Sequence, residues 1–163
     1  MRFLGYLILL ALIGYGIWPY YTVYRLDAAI NQQDASALAV LIDLPAIRAN
    51  YKARVKAGVQ GILPMGDPGG VMGQVRQGIE HLGDAALDQV INAAWVQTTL
   101  RDAITRVTHQ TPPYLIGGIE FAFFESFNRF LIRIGSLGHD ATHIRLSLVG
   151  SEWRVTDIIT SVD

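Results

Sequence analysis

Between Arg2 and Arg25 the chain carries no charged residue. The run Phe3–Tyr24 is almost wholly apolar and aromatic. As a helix it rises about 33 Å, enough to cross the hydrocarbon core of a bilayer. Leu4, Leu7, Ile8, Leu9, Leu10, Leu12 and Ile13 fill its centre. Each favours insertion by roughly 0.5 kcal/mol, so together they outweigh any polar cost in the run. Phe3 and Tyr6 stand near the start, and Trp18, Tyr20, Tyr21 and Tyr24 near the finish. Such rings at both ends match the aromatic belts of membrane interfaces. Pro19 falls beside the outer belt, where a kink or frayed turn is tolerable.

The competing reading is a cleaved secretory signal, with Gly14-Tyr15-Gly16 as a weak cleavage site. Cleavage there would leave a mature terminus beginning Ile17-Trp18-Pro19, a poor start for a soluble protein. The absence of cysteine excludes a lipid-modified signal. The sequence therefore divides into a transmembrane anchor, residues 1–25, and one α+β domain, residues 26–163. Arg2 precedes the span while Arg25 and Asp27 follow it. This small asymmetry places the amino terminus in the cytoplasm and the domain outside.

The remainder of the chain is about 140 residues, a usual size for one domain with a real core. A net charge of −1 disfavours a dedicated nucleic-acid binder, which needs a large basic excess. Without cysteine there are no disulfides and no thiolate zinc sites.

Helical spacing dominates the first part of the domain. The anchor helix continues through Leu26, Ala29 and Ile30. Asp34 reads as an N-cap for Ala35–Ile42. Asp43 caps again, with Pro45 in the first turn, ahead of Leu44, Ile47, Tyr51, Val55, Val59 and Ile62. Pro64–Gly70 is a cluster of turn formers. Further helices carry Val75, Ile79 and Leu82, then Leu87, Val90 and Ile91, with Gly83 and Asp84 between them. A last helix bears Leu100, Ile104 and Val107, capped by Thr98 or Thr99, and Thr111-Pro112-Pro113 closes the helical part. From Ile119 the period becomes two. Ile119, Phe121 and Phe123 share one face; Phe130, Ile132 and Ile134 share another, with a turn or bulge within Glu125–Asn128. Gly135–Asp140 is a loop. Two strands, Thr142–Val149 and Glu152–Thr160, flank Gly150-Ser151, which suits a type II′ hairpin. The architecture expected is α+β: four to five helices packed on a C-terminal antiparallel sheet of about four strands.

That hairpin sets Leu148 opposite Trp153, Leu146 opposite Val155 and Ile144 opposite Asp157. On the other face stand Ser147 with Arg154, Arg145 with Thr156, and His143 with Ile158. Asp157 is thus the one carboxylate placed inward. Burial would raise its pKa and suit acid–base work, whereas a capping contact would make it structural. Arg48, Lys52 and Lys56, with Arg54 beside them, form a basic stripe that could rest on anionic lipid headgroups or simply be solvated. His139-Asp140 and His143 lack a third metal ligand, and no metal or other cofactor is expected. His81 and His109 suit helix ends. No nucleophile elbow, phosphate loop or dinucleotide fingerprint occurs.

Several segments carry a family resemblance: Trp18-Pro19-Tyr20-Tyr21 with Tyr24-Arg25-Leu26, Asp34-Ala35-Ser36-Ala37-Leu38, and Ile42–Arg48. Phe124–Phe130 and Trp153–Ile158 continue it. Together they resemble the bacterial domain-of-unknown-function family 2939, DUF2939, across nearly the whole chain. The resemblance implies a Gram-negative bacterial source and a membrane-anchored or exported protein. It implies no activity and supplies no functional residues. The order of helices and sheet, ending in Trp-x-Val-x-Asp-Ile, is also similar to the NTF2-like cone folds, which often hold a pocket between helix and sheet. About four strands is fewer than a full cone has.

The expected function is a non-catalytic binding module at the periplasmic face of the bacterial inner membrane. Residues 3–24 would contact the bilayer, and the domain would engage a partner protein or a small apolar ligand. The alternative is an NTF2-like hydrolase or isomerase using Asp157 in a helix–sheet pocket, with Asp43 or Arg48 converging on it.

Overall fold

A computed structural model describes residues 2–56, 88–110, 112–137 and 141–160. The turn cluster at 64–70, the helices expected between Val75 and Leu87 with their boundary at Gly83 and Asp84, and His81, His139 and Asp140 lie outside the described residues. Within them the architecture is α+β, in the order α1 (Arg2–Gln32), α2 (Ala35–Leu41), α3 (Leu44–Lys56), α4 (Ala93–Thr108), α5 (Leu115–Gly118), β1 (Ile119–Ser126), β2 (Arg129–Ile134), β3 (Thr142–Val149) and β4 (Glu152–Thr160).

The long apolar helix runs on past Arg25 through Leu26, Ala29 and Ile30, as expected. α1 runs unbroken for 31 residues and passes straight through Pro19. Proline there removes the bond to the Tyr15 carbonyl, a cost tolerated where neighbouring groups compensate. The side chains from Phe3 to Gly14 are all exposed, whereas Pro19, Thr22, Val23, Leu26, Asp27, Ala29 and Ile30 are buried. Packing of α1 on the domain thus begins well before Arg25. The helix ends because Gln33 turns left-handed, at φ 54°. Gln33 N–H then bonds Ile30 C=O and Asp34 N–H bonds Ala29 C=O, the pattern of a Schellman stop.

Capping residues set the next starts. The Asp34 carboxylate accepts from Ser36 N–H and Ala37 N–H, both at 3.0 Å, and opens α2 as expected. Asp43 accepts from Ala46 N–H at 3.0 Å and opens α3. α4 starts earlier than the threonine caps predict. Asn92 accepts from Trp95 N–H at 2.9 Å, and the helix it opens buries Val96, Leu100 and Ile104 as one inward stripe. The proline pair does not close the helical part either, since the single turn of α5 follows it.

The sheet is an antiparallel meander in the order β1-β2-β3-β4. Its inner face carries Phe130, Ile132, Ile134, Ile144, Leu146, Trp153, Val155 and Ile158, packed against Leu26, Ile30, Leu38, Leu100, Ile104 and Leu115. Ile42 bridges to Val155, and Asp43 N–H bonds the Val155 carbonyl at 2.8 Å. The start of α3 therefore covers the otherwise open edge of β4. At Gly150-Ser151 only the glycine has positive φ, 64°, as a type II′ turn requires.

Two bulges overturn parts of the expected alternation. Leu148 faces Trp153 and Leu146 faces Val155 as expected, but Arg145 then faces Asp157 and Ile144 faces Ile158. Thr156 is the extra residue. It reverses the phase of β4, so Asp157 leaves the apolar face and joins Arg145 on the outer one. In β1 the register slips between Ile119 and Phe121. Ala122 faces Ile132 on the core side, whereas Phe121 faces Arg133 outside. Phe121 and Phe123 are consequently exposed, not core.

Candidate functional site

The outer face of the sheet holds a chain of alternating charges. Asp157, almost fully buried, accepts from Arg54 Nη1 at 2.6 Å through Oδ1 and from Arg145 Nη1 at 3.2 Å through Oδ2. Arg54 also donates to the Ile158 carbonyl at 3.2 Å. Arg145 then grips Glu125 with two parallel bonds, Nε to Oε2 at 2.7 Å and Nη2 to Oε1 at 3.2 Å. Bidentate geometry of this kind is the strong form of the arginine–carboxylate pair. The Arg145 bond holds the Glu125 carboxyl below its ordinary range, and the same bond raises Arg145 further. Ser147 Oγ lies 2.8 Å from Thr156 Oγ1, and Asn50 Nδ2 donates to the Thr156 carbonyl at 3.0 Å. Every group in this set comes from α3, β1, β3 or the bulge of β4, so it ties the helix to three strands.

Both oxygens of Asp157 are committed to guanidinium partners. The groups expected to converge on it do not: Asp43 caps α3, and Arg48 donates to Ile91 C=O at 2.9 Å and Asp88 C=O at 2.6 Å. Two members of the basic stripe are paired as well. Arg48 pairs with Asp88 at 3.6 Å and Arg54 with Asp157. Lys52 engages a partner of its own, and the side chain of Lys56 lies outside the described residues. Moreover α3 follows β4 from Val155 towards Ile158, away from the Gly150-Ser151 turn that lies beside Trp18 and Tyr21. Arg54 therefore sits at the Ile158 end of β4, away from that turn. Among the described residues no cluster of three metal-ligating side chains occurs.

An open groove of about 250 Å³ lies elsewhere. Trp18, Tyr21 and Arg25 of α1 form one wall, Val40 and Leu41 of α2 another, and Ser151, Glu152 and Trp153 the third. It falls short of the roughly 300–1,000 Å³ of a small-molecule pocket. Asp157 is not part of it.

Sequence reasoning missed a further cluster where the sheet meets α1. Tyr15 donates its hydroxyl proton to the Phe127 carbonyl. Its ring stacks on Phe124 at 6.1 Å and meets Trp153 edge-on at 6.2 Å. Tyr20 meets Phe130 edge-on at 4.9 Å. In the sequence Tyr15 stands only as the middle residue of a weak cleavage site; its ring, central in a run of small and aliphatic residues, is the available signal.

A family model described as a protein of unknown function, DUF2939, matches residues 8–106. The chain belongs to the DUF2939 family. The match spans most of the chain, starts inside the apolar run of α1 and reaches to the end of α4. It is narrower than the resemblance read from the sequence, because Phe124–Phe130 and Trp153–Ile158 lie beyond it. No curated protein and no solved structure matches the chain. Neither comparison supports a likeness of this DUF2939 member to NTF2-like cones.

Proposed function

We propose that this protein is a single-pass, non-catalytic binding module held at the periplasmic face of a bacterial inner membrane, with its apolar amino-terminal helix as the anchor. One observation carries the reading. α1 is a single helix whose first half is exposed and carries no charge after Arg2, and whose second half belongs to the domain core. It is long and apolar enough to cross a bilayer. An exposed stripe of Phe, Leu and Ile has no favourable place in water, and hydrocarbon supplies one. The Tyr15 contacts support retention over cleavage, since a cut after Gly16 would delete them. The commitment of Asp157 to two arginines supports a structural over a catalytic role for the sheet face. Binding falls to the groove beside Trp18, which would meet a protein partner close to the membrane, or to the exposed Phe121–Phe123 pair farther along β1.

Membrane fractionation with intact-mass measurement tests this. The expected product sediments with membranes, resists carbonate extraction, retains residues 1–16 and is digested by protease added to spheroplasts. A soluble product beginning at Ile17 would overturn the anchor. Protection from external protease would overturn the orientation.

A further inference from the structure

Phe127 sits at the tip of the β1–β2 turn and is 77 % exposed, more than any other large apolar side chain described beyond α1. Turn tips ordinarily carry Gly, Asn, Asp or Ser. A phenylalanine there gains nothing from water. The tip is also fixed in place. Tyr15 bonds the Phe127 carbonyl and stacks on Phe124, so the turn is held alongside the apolar part of α1. The β3–β4 turn points the same way, with Val149 exposed and Ser151 and Glu152 beside Trp18 and Tyr21.

The length of α1 decides what this placement means. Phe3–Gly14, the part free of the domain, rises about 18 Å. A hydrocarbon core is about 30 Å thick. A span starting at Phe3 therefore ends near Val23, and any tilt lengthens the stretch required. The belt Trp18, Tyr20, Tyr21 and Tyr24 then meets the far interface, at about 22–32 Å from Phe3. Tyr15 lies inside that limit by about 12 Å. Whatever is bonded to Tyr15 enters with it.

The tip is built for such a medium. A bilayer demands that backbone polar groups be satisfied internally. The Phe127 carbonyl accepts from Tyr15, the Asn128 carbonyl accepts from Leu148 N–H at 3.0 Å, and Ser126 Oγ bonds Asn128 Oδ1 at 2.8 Å. Arg129 follows just behind, exposed and long enough to reach phosphates. We propose that the β1–β2 turn is a second membrane contact: Phe127 dips into the leaflet through which α1 emerges, so that the domain is seated in the bilayer surface and does not hang from a flexible tether. This inference rests on the anchor reading and adds a site to it.

The chain has no cysteine, so single cysteines give clean labels. The full chain with Leu10→Cys, Phe127→Cys or Ser136→Cys is spin-labelled and reconstituted in phosphatidylethanolamine–phosphatidylglycerol vesicles. Relative access of oxygen and of a water-soluble nickel complex then reports depth. All three positions are exposed, and circular dichroism verifies the fold of each variant. The expected result is Leu10 deep in hydrocarbon, Phe127 at a shallower acyl depth and Ser136 in water. Leu10 in hydrocarbon with Phe127 as water-accessible as Ser136 overturns the tip contact and leaves the anchor standing. Leu10 in water overturns the anchor itself. If Phe127 alone is then shielded by lipid, the tip contact survives as a peripheral one.

Discussion

Arg54 Nη1 stands 2.6 Å from Asp157 Oδ1 and so joins α3 to the bulge of β4. The carboxylate is nearly dry, while Arg54 and Arg145 keep partial contact with water. Removing one partner of a fully buried pair costs about 3–5 kcal/mol. Here the guanidiniums can turn outward, so Asp157→Ala is expected to cost about 2–4 kcal/mol, less than that dry limit. Asp157→Asn keeps an acceptor for Arg54 and should cost less. Guanidinium unfolding midpoints in mild detergent measure both. An Asp157→Ala protein as stable as the parent would sink the structural role of this carboxylate and reopen a chemical one.

The pH dependence of stability has a defined direction. Burial, and then the positive charges of Arg133 and Arg145, hold the His143 imidazole below its ordinary value of 6.5, against a weaker opposing pull from Glu125. Between the folded and unfolded pKa values the folded state binds fewer protons, so stability is complete above about pH 6.5 and declines as pH falls below it. Glu125, held below its ordinary 4.5 chiefly by the Arg145 bond, adds a second decline below that pH. Unfolding midpoints between pH 8 and about pH 3 should fall in these two stages. His143→Gln should flatten the first stage and leave the second. A midpoint that rises on acidification through pH 6 would contradict the assignment.

How much of this was legible beforehand depends on the kind of signal. Asp34 and Asp43 were readable as caps because a cap is local: one acid, a helix start and an amide three residues on. The apolar length of α1 and the II′ turn at Gly150 were readable for the same reason. The bulges at Glu120 and Thr156 were not. A bulge shifts phase by one residue without changing composition, and strict alternation then assigns every later side chain to the wrong face. That single slip moved Asp157 from a presumed pocket to an ion-pair network and hid its partnership with Arg145. Helical spacing shows Arg54 only as one member of a basic stripe, lipid-facing or solvated. Its true partner lies 103 residues away, a separation no local spacing encodes. The Tyr15–Phe127 contact escaped for the same reason.

Adjacent glycines in α5 should behave oppositely. A Cβ on Gly118 would stand 3.1 Å from Ile134 Cγ2 and 3.4 Å from Thr108 Cγ2, in the core between α4 and β2. Ile134 is fully buried and has little room to yield. Gly118→Ala should therefore cost about 1–3 kcal/mol by overpacking. A Cβ on Gly117 meets nothing closer than 3.9 Å. Gly117→Ala should be neutral, or stabilising by up to about 1 kcal/mol through the helix preference of alanine. Thermal melts of the two variants side by side check this. Equal effects would place the crowding elsewhere.

Asp27 gives the last expectation, because it sits where the apolar helix becomes part of the domain. It is buried, and its Oδ1 accepts from Leu115 N–H at the start of α5 and from Asn31 Nδ2 at 3.3 Å. Tyr114, the residue at the cap position of α5, offers no side-chain bond. The first amide of α5 is thus satisfied from α1, across the core, and a carboxylate at a helix start is favoured by the helix dipole. Asp27→Ala strands a buried N–H and should cost about 1–3 kcal/mol. Asp27→Asn keeps the acceptor oxygen and should recover most of the loss. Hydrogen exchange gives the sharper readout. In Asp27→Ala the Leu115 amide should exchange faster by at least the factor expected from the global loss of stability, while in Asp27→Asn it should stay near the parent rate. If alanine and asparagine are equally damaging, the charge and not the hydrogen bond is what α1 contributes there.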